Sequence, residues 1–149
     1  MKKTTLLLAI LFTSIASFSQ WTFKTVNNGL DEPYRIAYSK SDNSAVLKLE
    51  KTSSGIAFYI QGGYHCDEYP SVDLAFNVAG EYKRYSLNAY TSSDREAVFL
   101  VDDLLSSEML EDFKKSSELT IRINETYCHS DLYKFGMSKS TSALDFISK

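Results

Sequence analysis

Apolar and polar residues alternate along most of the chain with a period of two, which indicates β-strands that bury one face. The alternation covers residues 45–49 and 56–60, with a turn-forming run between them, and this arrangement predicts a β-hairpin. It also covers residues 72–78 and 85–89, which are joined by a turn at Ala79-Gly80-Glu81. The pattern therefore predicts a second hairpin.

Shorter signals raise the predicted number of strands to eight or nine. A continuously apolar run at 97–101 is typical of a strand covered on both faces. The run before it is rich in serine, aspartate and threonine and predicts a turn at 91–96. The remaining strands are predicted at 21–23, 35–38, 119–123 and 133–137.

Helical spacing occurs clearly in one segment. Leu105, Met109 and Phe113 are separated by four residues, which places all three on one face of an α-helix. Ser106 or Ser107 is the predicted N-cap, because a serine hydroxyl can accept a hydrogen bond from a free N–H group of the first turn.

These elements predict a mainly β fold, an antiparallel β-sandwich or barrel with one inserted short helix. Residues 140–147 fit either a C-terminal helix or a last strand. Phe58, Phe76 and Phe135 stand at strand spacing and are predicted to fill the core. No repeat or linker divides residues 20–149, so we expect a single β-rich domain there.

The first 19 residues have the zones of a signal peptide: a basic start, an apolar stretch at 6–12, and small residues at Ser17 and Ser19. This pattern predicts cleavage before Gln20 and an exported protein, either periplasmic or secreted. No later segment reaches the roughly 18 apolar residues that a spanning helix requires, so no membrane span is predicted.

Net charge limits the class of partner. The chain has 16 basic and 19 acidic residues, and two of the basic residues lie in the predicted leader, which leaves a net charge of −5 on the mature chain. Clustered lysine and arginine residues supply most non-specific affinity for nucleic acids, and this chain has no basic run longer than two residues. A nucleic-acid partner is therefore not expected.

All cysteines and histidines of the chain lie in two short stretches, Tyr64-His65-Cys66-Asp67-Glu68-Tyr69 and Tyr127-Cys128-His129-Ser130-Asp131. Two cysteines in an exported chain are expected to form a disulfide, because that compartment oxidises thiols that can meet. A Cys66–Cys128 bridge would close a loop of about sixty residues and stabilise the fold by roughly 4 kcal/mol in the chain-entropy model.

Metal binding is an alternative for the same residues, because two cysteines and two histidines match a tetrahedral zinc set in number. Known structural sites separate paired ligands by about two to five residues, whereas His65-Cys66 and Cys128-His129 are adjacent pairs. Adjacent side chains of an extended chain point to opposite faces. We therefore predict no metal and no other cofactor.

Catalysis is a second alternative. His65 and His129 could act as acid and base of a small secreted hydrolase, oriented by the carboxylates of Asp67, Glu68 or Asp131. The Gly-x-Ser-x-Gly motif of serine hydrolases is absent from the sequence. We assign no catalytic residue and expect the chain not to be an enzyme.

We favour a recognition patch at the two stretches. Tyrosine side chains bury contact area at low entropic cost, which suits protein or sugar partners. The sequence therefore predicts a non-enzymatic exported binding module for a protein or a cell-envelope component, with a periplasmic inhibitor or immunity protein as a second candidate and the oligomeric state left open. The alternative is that these tyrosines only cover the end of the core. The predicted binding residues are Tyr64, His65, Asp67, Glu68, Tyr69, Tyr127, His129 and Asp131.

A resemblance supports this class of protein. Trp21, residues 31–38, the Cys66-Asp67 pair and the closing segment 133–147 resemble a group of small secreted bacterial proteins of unknown function. More distantly, the chain is similar to the invasion-associated locus B family of periplasmic β-sandwich proteins. The resemblance implies export, a β-sandwich and no known catalytic residues.

Overall fold

The computed structural model describes residues 21–27, 29–53, 55–100 and 105–149, and the predicted signal peptide at 1–19 lies outside these ranges. The described residues form ten strands in two antiparallel sheets, together with two helices, which confirms the predicted mainly β sandwich. The helices are α1 (Ser107–Lys115) and α2 (Ser140–Ser148). The strands are β1 (Thr22–Val26), β2 (Tyr34–Lys40), β3 (Val46–Thr52), β4 (Gly55–Gln61), β5 (Ser71–Val78), β6 (Glu81–Asn88), β7 (Tyr90–Thr91), β8 (Ala97–Leu100), β9 (Glu118–Asn124) and β10 (Asp131–Gly136).

The six-stranded sheet has the order β1-β2-β3-β4-β8-β7, and the four-stranded sheet has the order β10-β9-β5-β6. Both predicted hairpins are confirmed, as β3–β4 and β5–β6. The segment predicted as a turn at 91–96 begins instead with Thr91 in β7, which pairs with β8. A strand of two residues is too short to show a period of two, so the sequence pattern does not reveal it.

The core lies between the two sheets, and α1 packs into it. Phe58, Phe76 and Phe135 are fully buried, as predicted. The ring centroid of Phe113 on α1 lies 5.1 Å from that of Phe58 and 6.2 Å from that of Phe76. Trp21, just before β1, packs against the same Phe113 ring at 5.9 Å. The helix therefore joins aromatic side chains from both sheets.

The two helices differ in how clearly the sequence defines their first turn. The Ser106 hydroxyl accepts a hydrogen bond from the Met109 N–H group at 3.1 Å, which confirms the predicted cap of α1. Helix α2 follows Lys139, which has a left-handed backbone and makes no side-chain capping bond. The segment for which the sequence left helix and strand open is therefore a helix, and it begins without a side-chain cap. Neither helix of the described part has the length and apolar character needed to cross a bilayer.

Candidate functional site

The two cysteine-containing loops meet at one end of the sandwich. Cys66, in the loop after β4, and Cys128, in the loop between β9 and β10, form a disulfide with their Cα atoms 6.0 Å apart. This confirms the predicted bridge. The cysteines are therefore not available as zinc ligands or as nucleophiles.

Hydrogen bonds connect the same two loops next to the disulfide. The Oε1 atom of Glu125 accepts bonds from the backbone N–H groups of Cys66 at 2.7 Å and Asp67 at 3.2 Å. In the opposite direction, the Oδ2 atom of Asp67 accepts a bond from the N–H group of Thr126 at 2.5 Å. Carboxylates that accept backbone N–H bonds make some of the stronger hydrogen bonds in proteins. The pair of loops is therefore held as one unit.

A third segment, around β7, supports this unit from the six-stranded sheet. The N–H group of His65 donates to the carbonyl oxygen of Arg95 at 2.9 Å, and the Nη1 atom of Arg95 donates to the carbonyl oxygen of Cys66 at 2.5 Å. The N–H group of Thr91 donates to the carbonyl oxygen of Glu68 at 2.9 Å. The loop after β4 is thus fixed along most of its length.

Most of the predicted binding residues face solvent on these loops. The side chains of Tyr64, Tyr69 and Tyr127 are 68%, 65% and 86% exposed, and Glu68 and His129 are exposed as well. These five residues are called the rim below. Three large tyrosine rings therefore stand in solvent on loops that a disulfide and hydrogen bonds hold together.

His65, Asp67 and Asp131 do not belong to that exposed set. His65 is fully buried, which corrects its predicted place on the surface, and Asp67 and Asp131 are half-buried. The cause lies at Gly62, where a Cβ atom would stand 2.6 Å from the Cβ atom of Ala45. Only glycine lets the loop pass this close to the sheet, and the chain then carries His65 inward. With one imidazole buried and the other exposed, the two histidines do not face a common open cleft.

A polar cluster lies beneath the rim, and it consists of His65, Glu125 and the half-buried Asp131. Asp131 pairs with Ile123 in the register of β10 and β9, so the two side chains point to the same face. Ile123 is fully buried, and Glu125 follows it by two residues at the next inward position. The inward rows of both strands therefore end in carboxylates, which face His65 across the end of the sandwich.

The distances within the polar cluster are short. The Nδ1 atom of His65 lies 3.5 Å from the Oε2 atom of Glu125, and both side chains have no exposed surface. One imidazole nitrogen of His65 and one carboxylate oxygen each of Glu125 and Asp131 all lie within 4.8 Å of one another. Sequence reasoning missed Glu125, although its position two residues after an inward isoleucine is a signal that could have identified it.

Tyr133 closes the polar cluster on the side of the core. Its hydroxyl donates a hydrogen bond to the carbonyl oxygen of Gly62. Burial raises the pKa of Tyr133 above its usual range, and the neighbouring Asp131 carboxylate acts in the same direction. The phenol therefore stays protonated at neutral pH and remains a hydrogen-bond donor.

An aromatic strip extends from the rim across the outer face of the six-stranded sheet. Lys48, Tyr59, Phe99 and Tyr90 are successive partners in the register of β3, β4, β8 and β7, so their side chains share one face. The Tyr90 ring stacks on Phe99 at 5.6 Å, and Tyr59 lies 6.0 Å from Phe99. Tyr69 of the rim contacts Tyr90 edge-on at 5.5 Å.

The aromatic strip is therefore defined as Tyr59, Tyr69, Tyr90 and Phe99. Only Tyr69 was predicted from the sequence. Burial raises the pKa of Tyr59, with a further contribution from Glu50, and a hydrogen bond to Glu68 raises the pKa of Tyr69. The signal for the other members is an aromatic side chain at an outward position of a strand, but the strand order is needed to place them side by side.

Comparisons with known proteins identify a similar fold but no function. No protein-family model and no curated protein matches the chain. The crystal structure of invasion associated protein B from Bartonella henselae is similar, with a TM-score of 0.60 and 10% sequence identity over 88% of this chain and 93% of that one. This confirms the expected distant resemblance, and at this identity the likeness is one of fold.

Proposed function

We propose that this chain is a non-enzymatic exported binding module that recognises a protein through the rim. The observation that carries the proposal is the exposure of Tyr64, Tyr69 and Tyr127, at 65% to 86%, on loops that a disulfide holds together. Tyrosine rings on rigid loops provide large contact areas and lose little conformational entropy on binding. The disulfide supports export, because such bonds persist in oxidising compartments.

The aromatic strip supports a protein partner over a sugar. A sugar ring packs on a free aromatic face, whereas protein side chains also use ring edges and hydroxyl groups. In the strip, Phe99 is flanked by Tyr90 and Tyr59, and the Nζ atom of Lys48 lies 4.0 Å from the centroid of the Tyr59 ring. Ring faces of Tyr59, Tyr90 and Phe99 therefore already contact neighbours within the strip, and ring edges and tyrosine hydroxyl groups are available to a partner.

The alternatives fit these observations less well or differ only in the partner. A hydrolase that uses His65 and His129 would need both imidazoles at the substrate, but His65 is fully buried. An inhibitor or immunity protein is the same kind of module with an enzyme as its partner. A small, acidic, disulfide-closed domain would suit that role, because electrostatic attraction speeds the association with a basic enzyme.

The proposal is tested with immobilised, disulfide-intact protein exposed to an envelope extract of the source organism. Tyr127→Ala and Tyr69→Ala should each weaken capture of the same protein by about tenfold or more, as expected when a central aromatic contact is removed. The matched control is Tyr82→Ala, which removes a tyrosine that is 50% exposed on β6, away from the rim. Quantitative mass spectrometry, followed by a binding measurement with the purified partner, gives the readout.

Two results would overturn the proposal. The first is a captured protein whose affinity is the same for wild type, Tyr127→Ala and Tyr69→Ala. The second is tyrosine-dependent sedimentation with purified envelope glycan and no protein partner, which would make the module a glycan binder.

A further inference from the structure

We propose that His65, Glu125 and Asp131 form a binding site for one divalent transition-metal ion, with Zn²⁺ as the most suitable probe. This polar cluster lies beneath the rim and differs from the Cys₂His₂ set that the sequence suggested by number. The proposal does not depend on the identity of the partner.

The first observation is the lack of hydrogen-bond partners inside the polar cluster. Both imidazole nitrogens of His65 and the Oε2 atom of Glu125 are buried, and none of them has a hydrogen-bond partner within the described part of the chain. More than about nine in ten buried polar groups in native proteins have such a partner. Neutral imidazole has one nitrogen with a lone pair and one N–H group. The Oε2 atom of Glu125 and one nitrogen of His65 therefore carry lone pairs without a partner, which a bound cation would accept.

The second observation is the spacing of the ligand atoms. A charge-assisted hydrogen bond between His65 and Glu125 would bring the two atoms to about 2.7–2.9 Å, but Nδ1 and Oε2 are 3.5 Å apart. Two ligands on one tetrahedral zinc ion, with bonds of about 2.0–2.1 Å, are roughly 3.3–3.4 Å apart. The observed separation therefore fits two ligands of a shared ion better than a direct hydrogen bond.

The third observation is the charge and chemical type of the donors. With both carboxylates ionised, Glu125 and Asp131 give the polar cluster a net negative charge even if His65 is protonated. A divalent cation would balance the charge of the two carboxylates and take up one lone pair of the His65 imidazole. One imidazole and two carboxylates suit zinc or manganese, whereas calcium and magnesium prefer oxygen ligands alone.

The surrounding hydrogen bonds hold the Glu125 carboxylate in position without an ion. Two backbone N–H groups, of Cys66 and Asp67, hold the Oε1 atom of Glu125 and leave Oε2 for a further ligand. Outer contacts of this type orient metal ligands and contribute to affinity. Gly63 has a backbone φ of +106°, and a Cβ atom there would lie 3.6 Å from the Oδ2 atom of Asp131. Three ligands from protein would leave one position of a tetrahedral ion open for water.

The test uses tag-free, disulfide-intact protein that has been treated with a chelator and then titrated with Zn²⁺ by calorimetry. We expect one equivalent to bind and Asp131→Asn to lower the affinity by about tenfold or more. Glu68→Gln is the matched control, because it removes an exposed carboxylate from the same end of the molecule. Far-UV circular dichroism checks that each variant is folded, and Mg²⁺ and Ca²⁺ serve as comparison ions.

A second measurement leaves all three ligands intact. In ¹⁵N-histidine-labelled His129→Gln protein, the remaining histidine is His65, so a shift of its imidazole nitrogens on addition of Zn²⁺ assigns the ligand directly. Loss of zinc binding in His129→Gln would assign the ion to the exposed imidazole and overturn the proposal. So would the absence of binding at millimolar Zn²⁺, which would leave the polar cluster as a buried pair of His65 and Glu125.

Discussion

At the scale of single residues, Asp73 connects three strands of the four-stranded sheet. Its Oδ1 atom accepts a hydrogen bond from the Ser86 hydroxyl on β6 at 2.6 Å, and its Oδ2 atom accepts one from the Asn124 amide on β9 at 2.9 Å. These two bonds lower the pKa of the Asp73 carboxyl group, and the bond from Ser86 has the larger effect. The ionised form is therefore favoured in the folded protein more than in the unfolded chain.

Asp73→Asn should make the free energy of unfolding less dependent on pH under acidic conditions. Because the folded pKa lies below the unfolded value of about 3.9, the contribution of Asp73 is present above that value and is lost as the pH falls through the folded pKa. Asp73 is only half-buried and solvent screens its interactions, so we expect a change below about 1 kcal/mol. Urea unfolding at pH 3 and pH 7 measures it.

The difference in unfolding free energy between the two pH values should be smaller in Asp73→Asn than in wild type. Ser86→Ala should reduce it in the same direction, because it removes the strongest donor to the carboxylate. Identical pH dependence in wild type and both variants would contradict the assignment.

At the scale of secondary-structure elements, α1 is the helix that the sequence defines best. Its N-cap marks where the helix begins, and the lysines of its last turn mark where it ends. Its apolar face covers the residues between them. Met109 and Phe113 are buried, and Phe113 contacts aromatic rings of both sheets. Because the helix is packed into the core, weakening its first turn should lower the stability of the whole fold.

Ser106→Ala should lower the free energy of unfolding by about 1 kcal/mol, because the Met109 N–H group loses its acceptor. Chemical denaturation at neutral pH measures the change. Ser107→Ala is the matched control one residue later, inside the helix, where alanine is the better helix former. Equal losses in the two variants would show that the capping bond does not stabilise the protein.

At the scale of the whole molecule, covalent and polar links close one end of the sandwich. They join the loop that connects the two sheets to a loop of the four-stranded sheet. The disulfide and the Glu125 and Asp67 hydrogen bonds all join the loop after β4 to the loop between β9 and β10. The proposed metal site would connect the same two loops. The rim therefore depends on links that are distant in sequence, in contrast to the hairpins.

Replacing both cysteines, Cys66→Ala and Cys128→Ala, should lower the free energy of unfolding by about 4 kcal/mol, because the bridge restricts an unfolded loop of 62 residues. Urea unfolding of the double variant gives the value. Wild type with a reductant serves as an independent comparison and should lose a similar amount. An unchanged midpoint in both cases would mean that the bridge does not stabilise the fold.

The sequence by itself determined most of the local elements and the pairing of the two cysteines. Period-two alternation defined most strands, and the spacing and cap of α1 defined the helix, because these signals depend only on neighbouring residues. The Cys66–Cys128 pairing also followed from the sequence, since no other cysteine is present in the chain.

Only the tertiary structure decided which strands are neighbours and which side chains share a surface. Alternation tells which face of a strand is buried, but not that β8 lies between β4 and β7, so it could not assemble Tyr59, Phe99 and Tyr90 into one strip. Burial of His65 depends on how closely the Gly62 loop approaches Ala45, which is a long-range contact. The polar cluster was hidden for the same reason, because three separate segments of the chain provide His65, Glu125 and Asp131 and meet only in the folded protein.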